Sequence, residues 1–556
     1  MTIICSEPRP SSNHEGGIRD GDIKIAVIGA GSAGLVMAKE IIEASKNCKR
    51  AIEFTVFERR DDVGGIWQFD EIVQPGYLAW ESDQGVLRAV GKDAEDSRRR
   101  LRYGWRDRCP PGPMFDGLRT NKPSDLMEYR DVPFDSKTPL FPSRKTVQDY
   151  LKRYAEENKL VPHIRFNTSV TSLKKDDKKG QWLLKSRDLL HEKTNDDEKL
   201  ETFSHIAVCH GRCNTPNIPN IVGLETFQGI ISHSAWYRDP SMIKEKNVLI
   251  VGNASSGMDI AREMAGYITR TLSNNITPQM WEKKCKMEPF NVYSSWHSMV
   301  KAPGMDYNPL DSSSPDWCQR IKVLPQIEHI DAKAIHFEGG VILYNIELII
   351  FATGFLFDNP YIDQSDGVLL TRPLLPPSKN EFRTGFPSQT MYNMDDWLLF
   401  HSQDDSIAFL GLPLVIVPFP FTQIQALYVI HRWLQLAPRL PRLDTSIPLH
   451  DEKRWSSSIR DRQDQQEKEL HNGVILESSS HVISHPSDFA YLDALLNLLH
   501  QADSNAGVEP PWQQGYKSDG FGNGFPKGPE NRYQTAKWRF ERRTNGKRLR
   551  RDHLGY

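Results

Sequence analysis

The chain has 556 residues, more than one hydrophobic core ordinarily serves, so two or more packed units are expected. With 38% hydrophobic, 26% charged and 10% aromatic residues it carries the apolar material of large cores, which excludes a mainly disordered chain. Its 70 basic and 72 acidic side chains leave a formal net charge of −2, which argues against a dedicated nucleic-acid or membrane-surface binder, whose contacts need a positive excess.

The first 21 residues are polar and rich in Gly, Pro and Ser. They read as a loose leader and lack the basic stretch and apolar core of a signal peptide. Ile23 to Gly29, IKIAVIG, is a continuous apolar run of the kind buried on both faces of a parallel sheet. A helical pattern follows from Ala33 to about Ala44, and EFTVFE, Glu53 to Glu58, reads as the second strand of a βαβ unit. The interval from Gln68 to Pro113 contains the cationic run Arg98-Arg99-Arg100-Leu101-Arg102. It reads as a solvated surface loop, with an anion-gripping or substrate-covering role as the other reading. Asp176 to Glu201 is highly charged and reads as a hairpin tip or surface loop.

A second strand–turn–helix block opens at NVLIVG, Asn247 to Gly252, and runs through Asp259 to about Ile268. NVYSSW, Asn291 to Trp296, follows as its next strand, and ELIIFATG, Glu347 to Gly354, as another. Ile407 to Phe421 is broken by Pro413, Pro418 and Pro420 and reads as buried core; no run of about 18 apolar residues is present that could cross a bilayer. From about Ala502 the chain turns polar and ends in Lys547 to Arg551, KRLRR, which reads as a solvated basic tail. Seven scattered cysteines, an odd number without zinc-finger spacing, fit a reducing compartment. The expectation is a cytoplasmic protein without a membrane anchor.

Gly29-Ala30-Gly31-Ser32-Ala33-Gly34 fits G-x-G-x-x-G directly after a strand and before a helix. The first glycine permits the tight turn, the second lets backbone approach a pyrophosphate, and the third lets helix pack on strand. Glu58 stands at the end of the second strand, where a ribose hydroxyl needs an acidic acceptor. An acid there favours a ligand with a free ribose 2′-hydroxyl, which FAD has and NADPH lacks. The second turn is Gly252-Asn253-Ala254-Ser255-Ser256-Gly257, with Ala254 in place of the middle glycine. Its following strand, Asn291 to Trp296, ends without an acid, which suits a phosphorylated ribose and favours NADPH over NADH.

After Glu58 comes Asp62-Val63-Gly64-Gly65-Ile66-Trp67, which resembles the E-x(5)-G-G-x-W segment of the class B flavin monooxygenases. Phe227-x-Gly229-x-x-x-His233-x-x-x-Tyr237 resembles the signature of the flavin-containing monooxygenases, which oxygenate nitrogen and sulfur. The segment Met114 to Met127, FPSR at Phe141 to Arg144, and Phe351-Ala352-Thr353-Gly354 resemble the same family. The similarity runs from about Ile23 to Leu499. Two departures stand out. The first linker reads Val208-Cys209-His210-Gly211 instead of A-T-G, and Ser294-Ser295-Trp296-His297 lacks the family's arginine for the 2′-phosphate, a role left to Lys301 or an arginine from elsewhere.

The resemblance implies an α/β fold of two Rossmann-like dinucleotide-binding domains, with the NADPH domain inserted into the FAD domain. The implied boundaries are a leader at 1–21, FAD domain at 22–214, NADPH domain at 215–346, a second FAD segment with substrate-side elements at 347–501, and a polar tail at 502–556. It implies cofactor contacts from the first turn, Glu58, Gly65, Ile66, Trp67, Thr120 and Asn121, the last placed beside the flavin and the nicotinamide, and from Gly252, Asn253, Ser255, Ser256 and Gly257 of the second turn. The chemistry implied is reduction of FAD by NADPH, reaction with O2 to a C4a-hydroperoxyflavin, and attack on it by a soft amine or sulfide of a small molecule. Asn121 is the implied catalytic residue, because an amide both donates and accepts without titrating. The bland alternative is that Asn121 caps a helix beginning near Pro123. His233 and Tyr237 are expected to brace a domain interface. No metal site is expected, homo-oligomerisation is left open, and tailoring of a natural product is one expected role.

Three other readings stand beside this one. A Baeyer–Villiger monooxygenase would attack a ketone; its signature ends in Trp, and Trp236 lies one position from Tyr237. A disulfide reductase would need a redox pair such as Cys209 and Cys213. A nucleotide-sensing protein on the same fold would be expected to have lost Gly29, Glu58, Gly65 or Asn121, and all four are present.

Overall fold

The computed structural model describes residues 23–48, 50–70, 77–81, 86–90, 112–176, 178–190, 198–219, 221–267, 290–297, 306–362, 391, 393–441, 487–506 and 541–554. The leader, the cationic run Arg98 to Arg102 and Lys301 lie outside the described residues.

The apolar run at the start forms strand β1 (Ile23–Ile28), followed by helix α1 (Ser32–Asn47) and strand β2 (Ile52–Phe57). Ile25, Ala26 and Val27 are fully buried, as expected of a strand covered on both faces. β1 pairs in parallel with β2 on one side and with His205–Val208 on the other. The six-stranded sheet runs Phe400–His401, Asp404–Phe409, His205–Val208, β1, β2, Ile164–Arg165. Every pairing in it is parallel except that of the edge strand Phe400–His401. It therefore draws strands from both ends of the described chain.

Leu35, Val36, Met37, Ala38 and Ile41 of α1 are fully buried. Their helical spacing aims one apolar stripe at the sheet and another at the helix Pro418–Trp433. The run Ile407 to Phe421, expected to be core, begins in the strand Asp404–Phe409 and ends in the first turn of that helix, with proline where the missing N–H has no intrahelical partner anyway. Ser487–Ala506 packs outside it, and the buried Tyr491 donates to the Trp397 carbonyl at 2.9 Å.

The second sheet is five-stranded and wholly parallel: Ile230–His233, Leu348–Phe351, Asn247–Val251, Asn291–Ser295, Lys322–Leu324. Its position corrects one expected boundary. Leu348–Phe351, placed with the second FAD segment, pairs in register with Asn247–Val251 and Ile230–His233. The chain leaves this sheet only after Gly354. There Phe355–Leu356 runs antiparallel to Thr215–Pro216, so the two connections between the sheets lie side by side. The helix after the second turn spans Ser255–Met264 and stops short of the expected Ile268. Gly266 adopts φ +92° and its N–H reaches the Glu263 carbonyl, a glycine-terminated C-cap.

Three further expectations are corrected. Asp176 to Glu201 is not a loop alone: Gln181–Asp188 and Glu198–Phe203 pair with Thr168–Asp176 in an antiparallel meander. Its charges hid the pattern, because alternate residues face out while Trp182, Leu184 and Ser186 face in. Within Gln68 to Pro113, Tyr77–Glu81 and Val86–Val90 form a hairpin. The polar tail holds a helix, Gly546–Leu554, with Arg550 and Leu554 buried, so KRLRR is not simply solvated.

Candidate functional site

The two glycine turns share one geometry. Gly29 adopts φ +103°, and a Cβ there would lie 2.7 Å from the Cys209 carbonyl oxygen. Gly252 adopts φ +106°, and a Cβ there would lie 2.7 Å from the Ala352 carbonyl oxygen. In each case the obstructing carbonyl belongs to the residue that follows a parallel neighbouring strand, at the start of a connection between sheets. Cβ atoms on Gly34 and Gly257 would collide with the carbonyls of Gly29 and Gly252, so the third glycine of each turn is required by helix–strand packing. The helices start at Gly31 and Ala254 in extended conformation, and neither N-cap makes a side-chain hydrogen bond. Their first amides therefore remain available to an anion.

Gly65 adopts φ +55° and begins the short turn Gly65-Ile66-Trp67. A Cβ on Gly31 would lie 3.5 Å from the Gly65 Cα, and one on Gly65 would lie 2.9 Å from the Gly31 Cα. These two glycines face one another across bare backbone, a cradle that side chains would fill. The Gly64 N–H donates to the Ala30 carbonyl at 3.0 Å and locks the segments together. Trp67 meets Phe419 edge-on. Glu58 follows β2, buried, and its carboxylate accepts from the Ala30 N–H at 2.6 Å and the Arg60 N–H at 2.9 Å. Burial pushes its carboxyl up, and the two backbone donors oppose that. Ser32 and Ala33 are half-buried at the start of α1, and the Ser32 carbonyl accepts from the Tyr129 hydroxyl at 2.6 Å. This set suits a dinucleotide: free amides for the pyrophosphate and an acid for the ribose.

Asn121 is exposed, and its Nδ2 donates to Ser255 Oγ at 3.0 Å. It does not cap the following helix, Ser124–Met127, whose N-cap is Pro123. It instead joins the Met114–Met127 segment to the second glycine turn. Thr120 is buried; its Oγ1 donates to the Lys122 carbonyl at 2.8 Å and its N–H to the Pro142 carbonyl at 3.1 Å. Around the second turn, Asn253 and Ser255 are half-buried and Ser256 is exposed. At the end of the following strand Ser294, Ser295 and Trp296 are buried, and His297 Nδ1 lies 2.9 Å from Gln326 Oε1.

His233 is fully buried. Its Nε2 meets the Gly354 carbonyl at 2.9 Å and its Nδ1 accepts from the Ala235 N–H. It thus holds the second connection between the sheets. Burial pushes it down to about 4, so it is neutral at pH 7. The Tyr237 hydroxyl donates to Glu263 Oε2 at 2.6 Å, fixing the signature segment to the helix Ser255–Met264. Cys209 and Cys213 are free thiols, both pushed up by burial, the reverse of what a redox nucleophile needs.

Several residues near this site carry no signal in the sequence. Asp259 and Asp306 are buried acids that meet Arg550. The buried Arg238 donates to the carbonyls of Asp70, Gly112, Ala235 and Tyr237. Away from the site, His329, Asp331 and His336 place one ligand atom each within 4.8 Å of one another on an exposed hairpin, with His336 Nε2 already 2.7 Å from Asp331 Oδ2. No local spacing rule links any of these groups.

Comparison with known proteins places the chain among flavin monooxygenases in sequence similarity. The profile of the flavin-binding monooxygenase-like family matches residues 22–82 and 112–276. The thiol-specific monooxygenase of Saccharomyces cerevisiae is 25% identical over 430 residues, spanning 76% of this chain and 80% of that protein. Flavin-containing monooxygenase 3 of Oryctolagus cuniculus is 25% identical over 405 residues, 64% of this chain and 67% of the relative. Flavin-containing monooxygenase FMO GS-OX5 of Arabidopsis thaliana is 26% identical over 361 residues, and the match spans 63% of it. In fold, the S-allyl-L-cysteine S-oxygenase of Allium sativum superposes with a TM-score of 0.60 at 19% identity, over 96% of this chain and 95% of that one.

Proposed function

Because the chain is an enzyme of the flavin-containing monooxygenase family, with FAD and NADPH as cofactors, we propose that it oxygenates a soft nucleophilic nitrogen or sulfur of a small organic molecule. The balance is one NADPH, one proton, one O2 and one amine or sulfide giving NADP⁺, water and the N- or S-oxide. Bound FAD supplies the electron transfer and oxygen activation. The chain supplies binding, orientation and exclusion of water.

In this reading the FAD domain comprises both ends of the described chain, and the NADPH domain, carried by the five-stranded sheet, is inserted between them. Gly29, Gly31 and Gly34 give the FAD pyrophosphate access to backbone, with the amides of Ser32 and Ala33 as donors, while the Ala30 amide is held by Glu58. Glu58 takes the ribose hydroxyls, and Gly65, Ile66 and Trp67 close over the same turn. Gly252, Asn253, Ser255, Ser256 and Gly257 do the corresponding work for NADPH. Thr120 fixes the backbone from which Asn121 reaches across. The Asn121 amide hydrogen-bonds with donor or acceptor without changing its own charge, so it holds a polar intermediate in place across a wide pH range.

The observation that carries this reading is the 3.0 Å hydrogen bond from Asn121 to Ser255. It brings the segment shared with the family to the second dinucleotide turn, where a nicotinamide and a flavin would have to meet. The relative acting on thiols and the structural neighbour acting on a sulfide are named for sulfur chemistry, which supports sulfur within the class. Tailoring of a natural product would be one use of such an activity. The test gives the purified holoprotein NADPH and O2 with an aryl methyl sulfide, a tertiary amine or a cyclic ketone, and identifies products by mass spectrometry. An S- or N-oxide formed in step with NADPH consumption is expected. An ester from the ketone alone would overturn the reading in favour of Baeyer–Villiger oxygenation.

A further inference from the structure

The C-terminal helix Gly546–Leu554 reaches the base of this site through one residue. Arg550 is 2% exposed. Its Nη1 donates to Asp306 Oδ1 at 2.5 Å, its Nη2 to Asp259 Oδ1 at 3.1 Å, and its Nε to the Thr120 carbonyl at 3.1 Å. Thr120 immediately precedes Asn121. Asp259 lies one turn into the helix that begins at Ser255, the hydroxyl partner of Asn121. One planar guanidinium therefore grips the backbone on one side of the Asn121–Ser255 contact and the helix on the other. Asp259 also pairs with the fully buried Arg262 at 2.8 Å, so two acids and two arginines form one buried network.

The helix is seated by more than Arg550. Arg551 Nε donates to the Asp306 carbonyl at 3.1 Å, the Tyr267 hydroxyl donates to the Leu554 carbonyl, and His553 packs against Phe141. Just before the helix, Arg542 pairs with Asp125 at 2.6 Å, in the segment that follows Asn121. Arg550 and Arg542 thus reach residues 120–125 and the second turn's helix, and the other contacts hold the C-terminal helix to Asp306, Tyr267 and Phe141. A lysine cannot replace Arg550, because an ammonium is a point donor and lacks the fork that reaches two carboxylates and a carbonyl at once.

We propose that Arg550 is a positioning residue: by holding the Thr120 carbonyl and Asp259 together, it sets the distance between Asn121 and the second dinucleotide turn, and so couples NADPH oxidation to oxygen insertion. This rests on the monooxygenase reading for its consequence and on the geometry alone for the anchoring.

The test uses the full-length FAD-loaded protein and the variants Arg550→Ala and Arg550→Lys. Arg548→Ala, on the exposed side of the same helix, serves as control. Hydrogen exchange without NADPH reads the anchoring. Breaking a buried ion pair is costly and its effect is felt locally, so exchange in peptides covering 119–122 and 255–262 should rise together by about tenfold or more in both Arg550 variants. Exchange in β1 should not change. With NADPH, O2 and the accepted substrate, both variants should release more hydrogen peroxide per NADPH and form less product, while Arg548→Ala behaves as wild type. FAD content should stay at the wild-type level. Unchanged exchange in either peptide, or a uniform rise that includes β1, would overturn the anchoring. Local loosening with unaltered product per NADPH would overturn the coupling. If the wild type oxygenates no substrate, the function reading fails while the exchange result still decides the anchoring.

Discussion

Lys122 follows Asn121 and sits among cations. Burial, with Arg543, Lys547 and Arg550 adding to it and Asp488 opposing, pushes its amine down to about 7 from the ordinary 10.5. Between those values the unfolded chain binds a proton that the folded one does not, so this group makes stability rise with pH from about 7 towards 10.5. Lys122→Met is therefore expected to raise the denaturant midpoint more at pH 6.5 than at pH 9.5; an equal gain at both would contradict it. Asn121 differs, because it is exposed and bonds to a hydroxyl rather than to a charge. Asn121→Ala should change stability by no more than about 0.5 kcal/mol, as exposed substitutions do. It should lower turnover by about a hundredfold, the usual cost of removing a positioned hydrogen-bonding group from a reacting centre. A loss of stability matching the loss of turnover would make Asn121 structural. The residue is legible by its surroundings, but its partner Ser255, more than a hundred positions along, is not.

The turns are the elements where sequence and structure agree most closely. Their glycines are required by backbone, not by side-chain preference: both first glycines have φ above +100°, with a carbonyl where a Cβ would stand. Gly252→Ala should cost about 1–3 kcal/mol from the strained conformation, shift the turn away from Ala352, and weaken NADPH binding while FAD stays bound. Thermal melts and nucleotide titration read the two effects separately, and simultaneous loss of FAD would contradict the assignment of the two turns. Ala254 takes an extended, exposed conformation at the N-cap, which is why the missing middle glycine leaves the turn intact. The meander from Thr168 to Phe203 shows the opposite case. Its alternation is masked by Lys and Glu on the outer face, and only pairing with a neighbouring strand reveals which side is in.

Across the whole molecule, His205, His210, His233 and His431 are each pushed down to about 4 by burial. Below the ordinary value of 6.5 the unfolded chain takes up protons that these folded histidines refuse. Stability is thus expected to fall as pH drops from about 6.5 to 4, more steeply than a single histidine would give. Urea midpoints at pH 7 and pH 5 test this, and a flat profile would refute it. His210 lies in one of the paired connections between the sheets, where its Nε2 lies 3.0 Å from Asn359 Oδ1, and His233, at the end of a strand, meets the Gly354 carbonyl of the other. The acid transition is therefore expected to loosen the relation between the two sheets.

The features legible in the chain itself are local. Apolar runs bury themselves, glycine spacing dictates turns, and the acid after the second strand folds back onto the first glycine turn; each rests on a short stretch of sequence. Tertiary structure decides the rest. The order of strands places Leu348–Phe351 in the second sheet, because pairing depends on partners that hydrophobicity alone does not identify. It also turns a charged C-terminal run into a buried anchor. Composition registers that Arg550 is basic, but whether a charge is solvated or buried depends on the acids and carbonyls that distant segments bring to it, here Asp259, Asp306 and Thr120.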